Sequence, residues 1–395
     1  MNSLNLRPAA RFRISHLLCA LLLFSAITLL LLQGCGMMHS NMPPAQAVTS
    51  FAYISNSGSG TISVFAVGMS GSVSMVAGSP FQSGGGAEFM AMDKVHHFLF
   101  AANQTGNNIS AFSINTGTGG LSPAPGSPFA TGATPLGLAV DPQGKFVFVA
   151  NQSAGSISVF SINASSGALT PVAGSPFTGI ANPFGVTVDP AGSLLFVSSF
   201  NGVAGTGNTI SSFAINGVTG ALSPADLALP TSSPAGITAP IGMATDGKFL
   251  FVADHMAEAV APFTIDQGTG ALTPPAALPA PASGCGVSCH HNPLRLTVDP
   301  SDKFIYWTNV QAGTLSAFSI NNGSLQPISE VSTGQHPFGL ALTPDGTLLY
   351  VVNKADNSVS GFSVNTANGT VAPISGFPLS TGGNAPTDIV IVAKQ

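Results

Sequence analysis

One short apolar segment recurs seven times along the chain and limits the folds that the chain can adopt. Successive segments start 44 to 55 residues apart, and each spans six residues and ends in Asn, Ser or Asp. A near-constant period of this length is typical of repeat proteins, in which each copy is one supersecondary unit. The segments are FAYISN (51–56), FLFAAN (98–103), FVFVAN (146–151), LLFVSS (194–199), FLFVAD (249–254), FIYWTN (304–309) and LLYVVN (348–353).

Each repeat contains the pattern of four strands. A strand with one Phe follows every apolar segment, an outer strand follows that one, and a further strand precedes every segment but the first. Four strands at this period predict propeller blades. Charged residues make up only 6% of the chain, beside 46 Gly and 30 Pro, which disfavours a helical protein. We therefore predict an all-β, seven-bladed β-propeller, in which the recurring Phe residues fill the spaces between blades. These are Phe65, Phe112, Phe160, Phe213, Phe263, Phe318 and Phe362.

The two ends of the repeat region complement each other. The first unit lacks its leading strand, and a matching apolar segment, 386–392, occurs at the end of the chain. We expect this C-terminal strand to join the N-terminal blade, so that a propeller over residues 51–395 closes without an open sheet edge. The Asn that ends several second strands is expected to be structural, because Asn readily satisfies backbone groups at turns.

The first 50 residues have the pattern of an export signal and a tether. Basic Arg7, Arg11 and Arg13 precede an apolar run from Leu17 to Leu32, which is short for a bilayer span. The run ends in Leu-Gln-Gly-Cys35, which resembles the lipobox of bacterial lipoproteins. This implies a signal peptide over 1–34, a lipidated Cys35 with a flexible tether over 35–50, and a membrane-anchored lipoprotein of the bacterial cell envelope facing the periplasm or the exterior. The alternative is an uncleaved signal anchor.

The tetrapeptides YWTN (306–309) and YVVN (350–353), the second after the turn Asp345-Gly346-Thr347, resemble a known repeat. They are similar to the YVTN-type repeat of the seven-bladed lactonase propellers, which include 6-phosphogluconolactonase and carboxymuconate cycloisomerase. The resemblance covers residues 51–392. It implies opening or closing of a lactone near the central channel, by residues at the entry to the innermost strands, with no cofactor and no metal.

Alignment of the innermost strands identifies the candidate catalytic residues. Arg295 is the only arginine after the signal, and its fork of donors suits an oxyanion or a carboxylate. We expect His291 or His336 to be the general base, since an unperturbed imidazole titrates near neutrality, and His336-Pro337 also matches the family's "HP" entry. Asp388 or Glu88 would orient these groups, although an ion pair between Arg295 and either carboxylate that merely fills the channel mouth is equally open. The equivalent third positions are Phe89, Gly137, Gly185, Gly242, Arg295, Gly339 and Asp388, and we interpret the glycines as leaving space.

A long connection before Arg295 carries Cys285, Cys289 and the pair His290-His291. In an oxidising compartment, a small disulfide between Cys285 and Cys289 is the leading interpretation. A Cys/His metal site that includes His255 remains open, although the spacing matches no standard zinc pattern. Haem attachment also remains open, although the motif is CxxxCH rather than CxxCH.

Charge and composition bound the possible partners. Without the three signal arginines, seven cationic residues face 15 acidic ones, and no basic stripe is present, which excludes nucleic acid as a partner. Lys145, Lys248 and Lys303 fall in turns on the face away from Arg295, so the expected substrate is an unphosphorylated lactone. The alternative function is a non-catalytic envelope propeller that binds a protein or a glycan. In either case we predict a monomer that meets the membrane only through its lipid anchor.

Overall fold

A computed structural model describes residues 47–202, 208–224, 237–275 and 291–395. The regular elements of this part of the chain are β-strands, which form seven antiparallel sheets of at least four strands each. The prediction of a seven-bladed all-β propeller is confirmed. Across the same residues, no helix has the length and apolar character needed to cross a bilayer.

Strands at equivalent positions have similar bounds in every blade. The blades are numbered 1 to 7 in the order of their second strands. The innermost strands of blades 2 to 7, followed by that of blade 1, are Ala87–Asp93, Pro135–Val140, Pro183–Val188, Pro240–Thr245, Pro293–Val298, Pro337–Leu342 and Pro386–Ala393. The second strands of blades 1 to 7 are Val48–Asn56, Phe98–Asn103, Phe146–Asn151, Leu194–Ser199, Phe249–Asp254, Phe304–Asn309 and Leu348–Asn353.

The outer half of each blade is built in the same way. The third strands are Thr61–Gly68, Asn108–Ile114, Ser156–Ile162, Thr209–Ile215, Ala259–Ile265, Thr314–Asn321 and Ser358–Val364. The fourth strands are Val73–Met75, Leu121–Pro123, Leu169–Pro171, Leu222–Pro224, Leu272–Thr273, Ser324–Ser332 and Val371–Pro373. Four blades add a short strand that pairs with the third strand, namely Phe81–Gln82, Phe129–Ala130, Phe177–Thr178 and Leu379–Ser380.

Two faces follow from this arrangement. The entry face carries the residues just before the innermost strands, such as Asn292 and His336, and the opposite face carries the turns between the innermost and second strands, such as 299–303. His96 and His97 lie in one of these turns, on the opposite face as expected.

The C-terminal strand closes the ring. Pro386–Ala393 pairs antiparallel with Val48–Asn56, in a register that runs from Ser50 opposite Ala393 to Ser55 opposite Asp388. The predicted closure is confirmed, and the first strand begins at Val48, three residues before the predicted start of the propeller at residue 51.

Side chains at repeated positions join neighbouring blades. The recurring Phe residues pack in the apolar clusters between blades; Phe160, for example, lies with Phe98 and Phe100 of blade 2. Their predicted structural role is therefore confirmed. Each of the three tyrosines donates a hydrogen bond to a backbone carbonyl of the next blade in the ring. These bonds run from Tyr53 to Gly119 (3.1 Å), from Tyr306 to Gly369 (3.2 Å) and, across the closure, from Tyr350 to Gly71 (2.9 Å).

The recurring Asn that ends the second strand is structural. Its side-chain amide donates to side-chain oxygens five and seven residues later, as from Asn353 to Ser358 and Ser360, both at 2.9 Å. These bonds tie the second strand to the third beneath the entry face, so the side chain is fully buried rather than available to a ligand.

Candidate functional site

Arg295 and Asp388 meet across the entry mouth of the central channel. The Nη2 atom of Arg295 lies 3.3 and 3.2 Å from the two carboxylate oxygens of Asp388. Asp388 also accepts the backbone N–H of Met90 at 2.9 Å. The side chain of Arg295 is 25% exposed and that of Asp388 only 4%. One of the two predicted ion pairs of Arg295 is therefore present, and its guanidinium stays open to the entry face.

Aromatic rings support the guanidinium. The central carbon of Arg295 lies 4.4 Å from the centre of the Phe89 ring, within cation–π range. Phe89 stacks in turn on Phe338, with ring centres 6.2 Å apart, and meets Phe184 edge-on at 6.0 Å. The aromatic floor fixes the guanidinium plane, so the arginine is held in place before any ligand arrives.

Glu88 pairs with Lys354 rather than with Arg295. The Nζ atom of Lys354 lies 3.6 Å from Oε1 of Glu88 and 4.6 Å from the centre of the Phe338 ring. Burial raises the pKa of the Glu88 carboxyl above its usual value, and the charge of Lys354 partly offsets this rise. The carboxyl thus has the character of a proton acceptor whose affinity is tuned by a neighbouring cation.

Sequence reasoning did not find Lys354, which is a functional candidate because of this contact. Lys354 directly follows Asn353 at the end of a second strand, and this position already places it on the entry face. The repeat thus predicts the face on which Lys354 lies but not its contact with Glu88.

The glycines of the innermost strands permit close approach of neighbouring backbones. A Cβ atom at Gly242 would lie 2.0 Å from the carbonyl oxygen of Leu294, and one at Gly339 would lie 2.7 Å from the Cα of Asp388. The space that these glycines leave is therefore occupied by the backbone of the neighbouring innermost strand and, at Gly339, also by the side chain of Asp388. Gly339 stands in blade 7 between Arg295 of blade 6 and Asp388 of blade 1, and a Cβ there would also lie 2.9 Å from Oδ1 of Asp388. A side chain at this position would disrupt the ion pair.

The channel below the ion pair is narrow. A cavity of about 160 Å³ lies there, with Arg295 and Asp388 in its wall. A ligand therefore reaches the two charged residues from the entry face. The rest of its wall includes one apolar residue from each innermost strand: Met90, Leu138, Val186, Met243, Leu296, Leu340 and Ile389.

His291 lies apart from the arginine–aspartate pair. It is only 5% exposed, and its Nε2 atom is 3.6 Å from Oε2 of Glu330 in the outermost strand of blade 6. Neither ring nitrogen has a hydrogen-bond partner. The charged neighbour of His291 is therefore Glu330, and no contact joins it to Arg295 in the described part of the chain.

His336 is exposed, and its backbone has a structural role. Its φ is +51°, and its carbonyl oxygen accepts the N–H of Lys354 at 2.9 Å. This bond holds the loop that carries Lys354. The same left-handed conformation occurs before the innermost proline in four other blades, at Thr134, Asn182, Asn292 and Ala385.

Other predicted residues lie outside the described part of the chain. These include Cys35, Cys285, Cys289 and His290, so the lipidation, disulfide and metal hypotheses remain predictions. His255 is described: its Nδ1 atom lies 3.3 Å from the carbonyl oxygen of Pro293, and burial lowers its pKa. Within residues 47–202, 208–224, 237–275 and 291–395, no group of three or more His, Cys, Asp and Glu side chains could hold a metal ion.

Comparison with known proteins gives a family match over most of the chain. The family model described as "Lactonase, 7-bladed beta-propeller" matches residues 45–134, 125–239 and 241–384. No curated protein matches the chain.

Solved structures share the fold at low sequence identity. A candidate 6-phosphogluconolactonase of Bacteroides uniformis is similar with a TM-score of 0.73 and 20% identity, over 88% of this chain and 100% of that one. The periplasmic gluconolactonase of Pseudomonas aeruginosa is similar with a TM-score of 0.70 and 19% identity, over 88% and 100% of the two chains. At these identities the likeness concerns the fold alone.

Proposed function

The chain belongs to the seven-bladed lactonase propellers, and on that basis we propose that it hydrolyses an unphosphorylated lactone at its entry face. The observation that carries the proposal is the pair of ion pairs at the channel mouth, Arg295 with Asp388 and Lys354 with Glu88. Hydrolysis of a lactone needs a base for water and a donor for the oxyanion, and this cluster offers both.

We assign the base to Glu88. Its pKa is raised by burial, which makes the carboxylate a better proton acceptor, and the charge of Lys354 partly offsets this rise in favour of the ionised form. His291 has Glu330 as its charged neighbour and His336 is exposed, so neither has the geometry that Glu88 has beside the channel mouth.

Arg295 supplies the oxyanion stabilisation. A guanidinium has five N–H donors, and Asp388 engages one nitrogen, so donors remain for a substrate carbonyl. The oxygen of water attacks the carbonyl carbon and its proton passes to Glu88. The acyl C–O bond of the ring then breaks, Glu88 returns its proton to the ring oxygen, and the hydroxy acid leaves.

The charge balance at the entry mouth favours an uncharged substrate. Arg295 and Lys354 are each paired with a carboxylate, so the four groups sum to zero net charge. A phosphate dianion needs unpaired cations. Lys354 adds a lysine to the entry face that the sequence analysis did not consider, but its pairing with Glu88 leaves the substrate argument intact.

The proposed subcellular location is the bacterial cell envelope. The basic and apolar pattern of residues 1–34 and the Leu-Gln-Gly-Cys35 sequence support export and lipid anchoring. One of the solved structures that share the fold is a periplasmic gluconolactonase, which is compatible with this location.

The experiment is acid release by the full-length protein from glucono-δ-lactone and from 6-phosphogluconolactone, corrected for spontaneous hydrolysis. We expect faster release from the unphosphorylated lactone. We also expect a fall of about 100-fold or more for Arg295→Ala, the scale of a lost oxyanion donor. Lys145→Ala, a cation removed from the opposite face, is the matched control.

Two results would refute the proposal. Activity that survives Arg295→Ala would remove this site. No activity on any unphosphorylated lactone would favour the binding of an envelope protein or glycan instead.

A further inference from the structure

A larger cavity opens at the other end of the channel, on the opposite face. Its volume is about 630 Å³, and it shares Leu340 and Ile389 with the wall of the smaller cavity below Arg295. Met92, Leu342 and Ile391 contribute to its aliphatic wall. This space is large enough for a small organic molecule.

Three ionisable side chains on the cavity wall have no partner. Lys94 and His97 come from the turn of blade 2, and Asp302 comes from the turn of blade 6. Among the described residues, none of the three makes an ion pair or a side-chain hydrogen bond, and Nδ1 of His97 is buried without a partner. Lys94 and Asp302 are exposed to solvent at the cavity, so both are accessible to a ligand that supplies the opposite charges.

Lys94 occupies a turn position at which most of the other blades have proline. Four other turns on this face have Pro directly after the first turn residue, where blade 2 has Lys94. The residue that brings a cation to the cavity is therefore a particular feature of blade 2. The equivalent prolines are Pro142, Pro190, Pro300 and Pro344.

Asp302 also differs from the residues at equivalent positions of the repeat, and it brings a negative charge. Three equivalent turns have Gly at this position, Gly144, Gly192 and Gly346, with φ from +68° to +73°. Asp302 adopts the same left-handed region, with φ +57°, where a side chain is strained. Burial and the nearby Asp246 and Asp299 also raise the pKa of its carboxyl. The chain thus keeps a strained and repelled carboxylate at the cavity wall.

The positive charge of Lys94 and the negative charge of Asp302 lie on turns of different blades, and their opposite signs determine which class of ligand fits the cavity. A simple anion would be repelled by Asp302 and its acidic neighbours, and a simple cation would be repelled by Lys94. A molecule with both charges and an apolar body can pair with Lys94 and Asp302 and contact the aliphatic residues between them.

We propose that this cavity binds a zwitterion with an apolar body, of the class of apolar dipeptides, with its carboxylate at Lys94 and His97 and its ammonium at Asp302. The site is separate from the lactone site, so either can fail without the other.

The test is titration calorimetry of the full-length protein with the dipeptide Leu-Leu. We expect saturable binding that weakens about tenfold when either peptide charge is blocked, in N-acetyl-Leu-Leu or in Leu-Leu amide, as expected for the loss of one charge-assisted hydrogen bond. Asp302→Gly restores the residue of the equivalent turns and therefore folds. In that variant, free and N-acetylated peptide should bind equally.

Lys94→Ala should in turn remove the preference for the free carboxylate over the amide. Lys303→Ala, beside Asp302 in the same turn but outside the cavity wall, is the matched control and should bind as wild type. The proposal is overturned by the absence of saturable heat up to millimolar Leu-Leu, by equal binding of free and blocked peptides to wild type, or by an equal loss in Lys303→Ala.

Discussion

The two mouths of the channel handle charge in contrasting ways. At the entry mouth Arg295 and Lys354 are each paired with a carboxylate and each rests on an aromatic ring, above a cavity of about 160 Å³. At the opposite mouth Lys94 and Asp302 face a cavity of about 630 Å³ without ion-pair partners in the described chain. Paired groups are held in a fixed geometry, which suits chemistry on an uncharged substrate, whereas unpaired groups suit recognition of a charged one.

The largest expected effect comes from removing the strand that both mouths share. Deletion of residues 386–395 removes Asp388 from one mouth and Ile389 from the other, and exposes the edge of Val48–Asn56. We expect aggregation or loss of the cooperative thermal transition, because an open edge pairs with other chains. Size-exclusion chromatography and thermal unfolding measure this, with deletion of Gln395 alone as the control. A truncated protein with an unchanged melting curve would contradict the closure.

Single substitutions of a paired and an unpaired carboxylate should change the free energy of unfolding in opposite directions. Asp388→Asn leaves the partly buried Arg295 without its counter-charge and should lower the free energy of unfolding by about 2 kcal/mol, less than for a fully buried pair. Asp302→Gly relieves a left-handed backbone strain and should raise it by about 1 kcal/mol. Denaturant unfolding checks both values. Equal destabilisation by the two variants would show that the mouths do not differ in this way.

A smaller effect is expected in the pH dependence of the reaction. Glu88 acts as a base only when it is ionised, so kcat/KM should fall as the pH drops through its raised pKa. Lys354→Met removes the charge that lowers this pKa and should move the acid limb to higher pH. The profile of Lys303→Met provides the control and should match wild type. If the acid limb did not move in Lys354→Met, Lys354 would not influence the pKa of the group that titrates in the reaction.

The sequence predicts the scaffold because the scaffold is periodic. Seven copies of one strand pattern predict the blades, and the missing first strand predicts closure by Pro386–Ala393. The meeting of Arg295 and Asp388 was also predictable, since equivalent positions of innermost strands surround one channel.

The remaining contacts depend on side chains that do not follow the repeat. The reach of Lys354 to Glu88 depends on a loop conformation, and the contact of His291 with Glu330 joins an entry residue to an outermost strand. The close approach of neighbouring backbones at the glycines, as at Gly242 and Leu294, was not predictable because it is not a property of one strand. Periodicity therefore locates the channel mouth but not the partners of the charges there.

The most direct measurement is the turnover number of Glu88→Gln on glucono-δ-lactone, compared with Glu330→Gln as a matched carboxylate on the same face. Loss of the general base should lower kcat by about 100-fold or more, while Glu330→Gln should turn over as wild type. Wild-type turnover by Glu88→Gln, or an equal loss in Glu330→Gln, would contradict the assignment of the chemistry to the paired charges of the entry mouth.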